Sequence, residues 1–193
     1  GGFFMILVAK KEKVRFMAEG GIMIALATIL SMFKIYEAPF GGSVTAGSMI
    51  PIILIGIRWG TLPGLLVGVV YGLLQAVLEP YIVHPIQFLL DYPIAFGLLG
   101  LSGFYKNIKS IKIGSKTLEY VGVILGIFIA ILGRFISHVL AGVVFFSENA
   151  GDINSWLYSL GYNGSYLALE LIISVIIIIL LWKPIKTYNK EIR

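Results

Sequence analysis

The stretch TLPGLLVGVVYGLLQAVL, residues 61–78, carries no charge, and neither do residues 120–133 or 171–182. Runs of this kind, apolar on every face and without strand-like alternation, constrain the chain to helices that cross a bilayer. Hydrocarbon offers no partner for a backbone N–H or C=O, so only a helix or a closed barrel satisfies the main chain there. Composition agrees: 58% of the 193 residues are hydrophobic and 13% are charged, against roughly 45–50% apolar in an ordinary soluble domain. There is no cysteine, which removes disulfides, thiol nucleophiles and thiolate metal sites from consideration.

Six membrane segments are expected: 15–36, 48–57, 62–78, 86–105, 118–146 and 156–182. The second is too short to span in a straight line and contains Pro51, whereas the fifth is long enough to tilt or project. The whole of 1–193 reads as one membrane domain. It has a cytoplasmic N-terminal segment (1–14, the leading glycines expected to be tag residues), a six-helix bundle (15–183) and a cytoplasmic tail (184–193).

Charge sets the orientation. Lys10, Lys11, Lys13 and Arg15 precede the first segment, Arg58 lies between the second and third, Lys106, Lys109, Lys112 and Lys116 between the fourth and fifth, and Lys183, Lys186, Lys190 and Arg193 follow the sixth. All fall on one side of a six-span arrangement, and the opposite loops hold Glu37, Glu79, Glu148 and Asp152. The positive-inside bias then makes this a multi-pass protein of the cell membrane with both termini cytoplasmic. It also accounts for the net charge of +5 without nucleic acid.

Small residues mark close helix contacts. Gly64, Gly68 and Gly72 form a stripe expected to pack within the chain; Ala18, Gly21 and Ala25 lie on the first segment, where a partner subunit is an equal prospect. Other residues do not belong in lipid. Asp91 has no charged neighbour within ten positions, and a carboxylate at mid-bilayer costs ~2.5–3.5 kcal/mol on insertion scales. Arg134, His138 and Gly142 share one face at i, i+4 and i+8, continued by Phe146 with Phe145 beside it. The sixth segment begins with Tyr158, Tyr162, Asn163 and Tyr166. At matching depth towards the outer surface, these groups read as a pocket for a small polar ligand. The structural alternatives are a buried Asp91–Arg134 ion pair, a helix-bonding His138 and an interfacial tyrosine belt. Glu170 suits an internal hydrogen bond to another helix as well as any functional role, and Glu19 is expected to snorkel towards the cytoplasmic surface.

Enzymatic signals are thin. IGSKT (113–117) lacks the glycine spacing and Gly-Lys pair of a phosphate loop, there is no HExxH or GxSxG, and His84 and His138 are the only histidines. No cofactor or metal site is expected. A Ser48–His138 intramembrane nucleophile and a stand-alone carrier are the competing classes, the latter disfavoured because no inverted repeat is visible.

LLDYPIAFGLLGLSG, GRFISHVLAGVVFF and YSLGYNGSY resemble the thiamine-specific substrate-binding subunits of energy-coupling factor (ECF) transporters, the ThiT or YuaJ family. AEGGIMIALA and GSVTAGSMIPIIL fit the family's first helix and following loop. The resemblance implies a six-helix membrane protein that is not an enzyme. It binds thiamine from outside with high affinity and works with a transmembrane coupling subunit and two ABC ATPases. It assigns substrate binding to Asp91 and Tyr92 on the fourth segment, to Arg134, His138, Gly142 and Phe146 on the fifth, to Tyr158 and Asn163 on the sixth, and to Tyr81 and Tyr71. The family commonly has Glu at position 91 and Trp at 146, so the pocket geometry here differs in detail. It also implies that the glycine-rich loop FGGSVTAG closes over the ligand and that the Ala18, Gly21 and Ala25 face meets the coupling subunit. The same fold with another vitamin or a thiamine precursor is the nearest alternative.

The topology is testable because the chain lacks cysteine. Single cysteines at Gly42, Pro80 and Asp152 should react with impermeant reagents in intact cells, and one at Ser110 should not; labelling at Ser110 would reverse the orientation.

Overall fold

The computed structural model describes residues 2–106 and 116–191; the linker 107–115, with Lys109, Ser110 and Lys112, and residues 192–193 lie outside the described residues. Helix α1 runs Gly2–Ser31, followed by strands β1 (Lys34–Glu37) and β2 (Ser43–Thr45), then α2 (Ile50–Trp59) and α3 (Thr61–Leu78). Helix α4 covers Pro85–Lys106, α5 Lys116–Phe145 and α6 Ser155–Glu191. Five of these helices contain a stretch long and apolar enough to cross a membrane, and α2 is a shorter apolar helix. The protein is thus a multi-pass, mostly helical membrane protein.

The first span ends earlier than its hydropathy suggests. Residues 34–36, expected in the helix, instead begin an antiparallel hairpin in which Tyr36 pairs with Val44 and Glu37 with Ser43. The physical reason lies downstream: Pro39 cannot continue a helix, whereas Phe40 (φ 63°) and Gly41 (φ 94°) both take left-handed backbone that reverses the chain. Lys34 then lies opposite Thr45 and Tyr36 opposite Val44, with Ile35 at an irregularity of the register between them; Tyr, Val and Thr are residue types that favour a pleated surface.

The centre of the molecule is α4, half of whose membrane window is buried; α1, at 11%, is peripheral. Helix α3 meets α4 backbone to backbone. A Cβ on Gly68 would lie 2.3 Å from the Phe96 carbonyl oxygen, one on Gly72 2.4 Å from that of Tyr92, and one on Gly100 2.1 Å from Leu65 N. The Gly64, Gly68 and Gly72 stripe therefore packs inside the chain. Pro93 has no N–H to return to the preceding turn, and α4 widens there into a π-helical turn over Leu90–Ile94 before tightening to a 3₁₀ segment over Leu98–Gly103. Ser137 on α5 donates to the Leu90 carbonyl at 2.6 Å, so the irregular turn is satisfied from a neighbouring helix, as hydrocarbon requires.

Two carboxylates fasten the periphery. Glu19 is held by three donors. It accepts from Arg15 Nε (2.9 Å), Arg58 Nη2 (3.0 Å) and Trp59 Nε1 (2.9 Å), tying α1 to the α2–α3 turn. Glu170, 2% exposed in the middle of α6, accepts from the backbone N–H of Thr45 (2.6 Å) and its Oγ1 (2.8 Å). The partner is thus the returning strand of the hairpin rather than another helix. Ser48 is linked to Thr45 Oγ1 at 2.8 Å, and its own N–H donates to the same oxygen at 3.0 Å. It belongs to this anchor and has no hydrogen bond to His138.

Removing the Glu170 carboxylate leaves a buried N–H without a partner. Glu170→Leu should lower apo stability in detergent by about 1–3 kcal/mol, the cost of an unsatisfied buried donor, and Glu170→Gln, which keeps one acceptor, by less. Equal melting of all three proteins in a thermal-shift measurement would show that the anchor contributes nothing.

Candidate functional site

A cavity of about 450 Å³ opens between the hairpin, the α3–α4 loop and the facing ends of α4, α5 and α6; small-molecule sites typically span ~300–1,000 Å³. Asp91, Tyr92, Arg134, His138, Gly142, Phe146, Tyr158, Asn163 and Tyr81 all line it. Tyr71 does not. It is fully buried, donates to the Ala27 carbonyl at 3.3 Å and packs edge-on against Phe96, with centroids 5.0 Å apart. Its position on α3 turns it towards α1, so it supports the cavity wall from behind.

The polar centre is a directed chain of hydrogen bonds. Arg134 Nε donates to His138 Nε2 at 3.1 Å, and His138 Nδ1 lies 2.7 Å from Asp91 Oδ1. Because an arginine can only donate, Nε2 must accept, which leaves the proton on Nδ1 pointing at the carboxylate. Gln87 Nε2 donates to the other oxygen, Asp91 Oδ2, at 2.7 Å. The direct Asp91–Arg134 ion pair is therefore replaced by one relayed through imidazole. The guanidinium stacks over Phe96, 4.1 Å from the ring centroid, a favourable place for a desolvated cation. Each carboxylate oxygen accepts one bond from these neighbours and retains capacity for another.

The second polar group comes from α6. Gly142 permits the crossing with α5: a Cβ there would lie 2.2 Å from Ser159 Oγ. Ser159 donates to the Val139 carbonyl at 2.9 Å. Asn163 donates to the Ser159 carbonyl (3.0 Å) and Oγ (3.2 Å) and accepts from Tyr166 at 2.8 Å. Around these groups stand aromatic faces. Tyr81 lies against Phe146 with centroids 5.7 Å apart, and Tyr158 stacks on Tyr162 at 6.1 Å and 12°.

The hairpin forms the roof through Phe40, Gly41, Gly42 and Ser43. Tyr162 holds its tip, accepting from Gly42 N at 3.0 Å and donating to the Pro39 carbonyl. Lys34 bridges Glu37 (3.0 Å) on the hairpin and Glu79 (3.1 Å) on the α3–α4 loop. The hydrogen bond to Glu37 holds the Lys34 ammonium above the ordinary lysine range, outweighing the opposing effect of burial, so the ammonium stays charged at neutral pH.

Several lining residues escape a sequence reading. Gln87 lies one turn before Asp91, and that i, i−4 relation is its only signal; Phe96, Ser159, Lys34, Glu37 and Glu79 carry none, because an aromatic residue within an apolar helix and polar residues in loops or near helix ends are ordinary. Among the described residues no group of three His, Asp or Glu side chains is placed to hold a metal ion.

Known proteins with this arrangement are membrane transport proteins. A family model described as thiamine transporter protein (Thia_YuaJ) matches residues 17–190. The thiamine transporter ThiT of Bacillus subtilis is 39% identical over 178 residues, covering 89% of this chain and 92% of that protein. The ThiT of Lacticaseibacillus paracasei is 32% identical over 141 residues, 67% of this chain and 68% of that one. Among solved structures, ThiT from Listeria monocytogenes superposes with a TM-score of 0.79 at 27% identity, covering 93% of this chain and 97% of that chain. The S component of a bacterial ECF transporter superposes with a TM-score of 0.60 at 19% identity, over 92% and 99% of the two chains, and shares the fold. The chain therefore belongs to the thiamine transporter protein (Thia_YuaJ) family, a transporter family of S-component fold and not a family of enzymes.

Proposed function

We propose that this chain is the thiamine-binding subunit of an ECF-type importer. On this reading it captures thiamine with high affinity on the extracellular side, keeps both termini in the cytoplasm, and works with a transmembrane coupling subunit and two ABC ATPases. One observation carries the ligand assignment. A single cavity combines the Asp91–His138–Arg134 relay with the aromatic faces of Tyr81, Phe146 and Tyr158. Thiamine presents the complementary chemistry. Its aminopyrimidine has an amine to donate and ring nitrogens to accept, which suits a carboxylate with unused lone pairs beside an imidazole. Its thiazolium is a permanent cation, which suits aromatic faces.

The partner assignment is supported by the open face of α1. Ala18, Gly21 and Ala25 are all exposed, and a side chain added at Gly21 meets nothing within 4 Å. A face of small residues on the least buried helix lets another subunit's helix approach closely.

Asp91→Asn tests the ligand reading. The relay is directional, with every donor ending on Asp91, so an amide there sets an NH2 group against either Gln87 or His138. Thiamine binding, followed by quenching of intrinsic fluorescence, should weaken by ~2–4 kcal/mol, the scale for losing a buried charge-assisted contact, in a protein that still purifies as a folded species. Unchanged binding would remove Asp91 from the site.

Gly21→Leu and Ala25→Leu test the partner reading. Thiamine uptake by the assembled transporter should fall, while the isolated chain binds as before. Equal loss of binding in the isolated variants would show that this face serves the fold of the chain itself.

A further inference from the structure

Gln87 is 1% exposed, on the first turns of α4, and every polar atom of its side chain is engaged. Nε2 donates to the Tyr81 carbonyl at 3.0 Å and to Asp91 Oδ2 at 2.7 Å, and Oε1 accepts from Val83 N at 3.1 Å. One amide thus reaches the loop that carries an aromatic wall of the cavity and, at the same time, the carboxylate at its polar centre. Tyr92 completes the attachment of that loop, its hydroxyl accepting from Tyr81 N at 2.8 Å and donating to the Glu79 carbonyl at 2.9 Å. No hydrogen bond joins Tyr81 and Asp91 directly; Tyr92 ties the loop to the chain beside Asp91, and Gln87 is the side chain that bonds both to the Tyr81 backbone and to the Asp91 carboxylate.

We infer that Gln87 is a positioning residue that couples the aromatic wall at Tyr81 to the carboxylate at Asp91, so that the two halves of the site bind their ligand as one unit. The inference rests on the thiamine reading above and goes beyond it, because it concerns a residue that need not touch the ligand. The chemistry of the side chain explains the choice. A glutamine offers two donors and an acceptor in one plane and carries no charge. The donors are spent on a carbonyl and a carboxylate, and the acceptor on a backbone N–H, so all three groups are satisfied in a setting where an unsatisfied one is costly. An acid would face Asp91 with like charge, and an apolar side chain of similar length would leave the Tyr81 carbonyl and the Val83 N–H unbonded.

The test uses the purified full chain and thiamine. Gln87→Met should weaken thiamine binding by about 10- to 100-fold, the range for losing buried hydrogen bonds to a charged group. The measurement that separates positioning from simple support is a double-mutant cycle between Tyr81→Ala and Asp91→Asn. With Gln87 present, the two substitutions together should cost less than the product of their separate effects, by about ten-fold for coupled residues. In the Gln87→Met background their effects should multiply. Gln87→Asn, one methylene too short to span both partners, should give the same loss of coupling and serves if the methionine variant does not fold. Binding within about two-fold of wild type in either variant, or an undiminished coupling between Tyr81 and Asp91, overturns the role of Gln87 while wild type still binds thiamine. A wild-type chain that does not bind thiamine overturns the ligand assignment and this inference with it.

Discussion

Backbone contact between α3 and α4 is the constraint on which the rest of this molecule depends. At Gly68, Gly72 and Gly100 the two main chains come so close that no side chain fits between them. Such contacts matter more in lipid than in water, because the apolar surroundings supply no hydrophobic drive and association relies on close packing and hydrogen bonds. Held against α3, the middle of α4 cannot relax into a straight helix around Pro93. It takes a π-helical turn, and that turn carries Asp91 and Tyr92 to the cavity. The missing bond of a proline and the missing side chains of three glycines thereby fix the depth and direction of the carboxylate.

A second constraint follows from placing charge at that depth. Asp91 and Arg134 do not meet. The imidazole of His138 stands between them with its two nitrogens in opposite roles, and the aromatic face of Phe96 covers the guanidinium. Such an arrangement keeps both ions hydrogen-bonded without collapsing them onto each other, and leaves the carboxylate with unused acceptor capacity in the cavity. A directly paired Asp–Arg bridge would occupy more of the carboxylate's acceptor capacity and leave less for a ligand.

The hairpin over the cavity is fastened to one helix at two heights, by Tyr162 at its tip and by Glu170 at its return. These residues are eight positions apart on α6 and so lie on the same face. Tyr166 lies between them, close enough to Gly42 that a Cβ there would be 2.7 Å from its ring. The face of α6 that supplies Asn163 and Tyr158 to the cavity is therefore continuous with the strip that carries its roof. The proposed capture of thiamine beneath that roof would link ligand contacts and roof position through a single rigid element.

Much of this was legible in the chain because it depends on local rules. Charge-free runs dictate bilayer helices, lysine placement suggests their orientation, the Arg134–His138–Gly142 spacing defines a helix face, and the isolation of Asp91 marks it as exceptional. Resemblance extended that list to Tyr81 and Tyr92. The hairpin at Lys34–Thr45 was not legible, because Lys34–Tyr36 looks like the end of the preceding helix until it pairs with the strand at Ser43–Thr45. Gln87 was not, because a glutamine at a helix start has no distinguishing pattern and takes its meaning only from the folded-back loop at Tyr81–Val83. Nor was the setting of Tyr71, whose spacing on α3 cannot say whether its ring turns to the cavity or to α1. The sequence by itself determined the class of fold and the inventory of groups intolerable in lipid, since solvation penalties act on each residue wherever it lies. Which of those groups satisfy one another, Asp91 with His138 and Gln87 rather than with Arg134, was decided only by the tertiary structure, because hydrogen-bond direction and backbone contact depend on positions that no single helix contains.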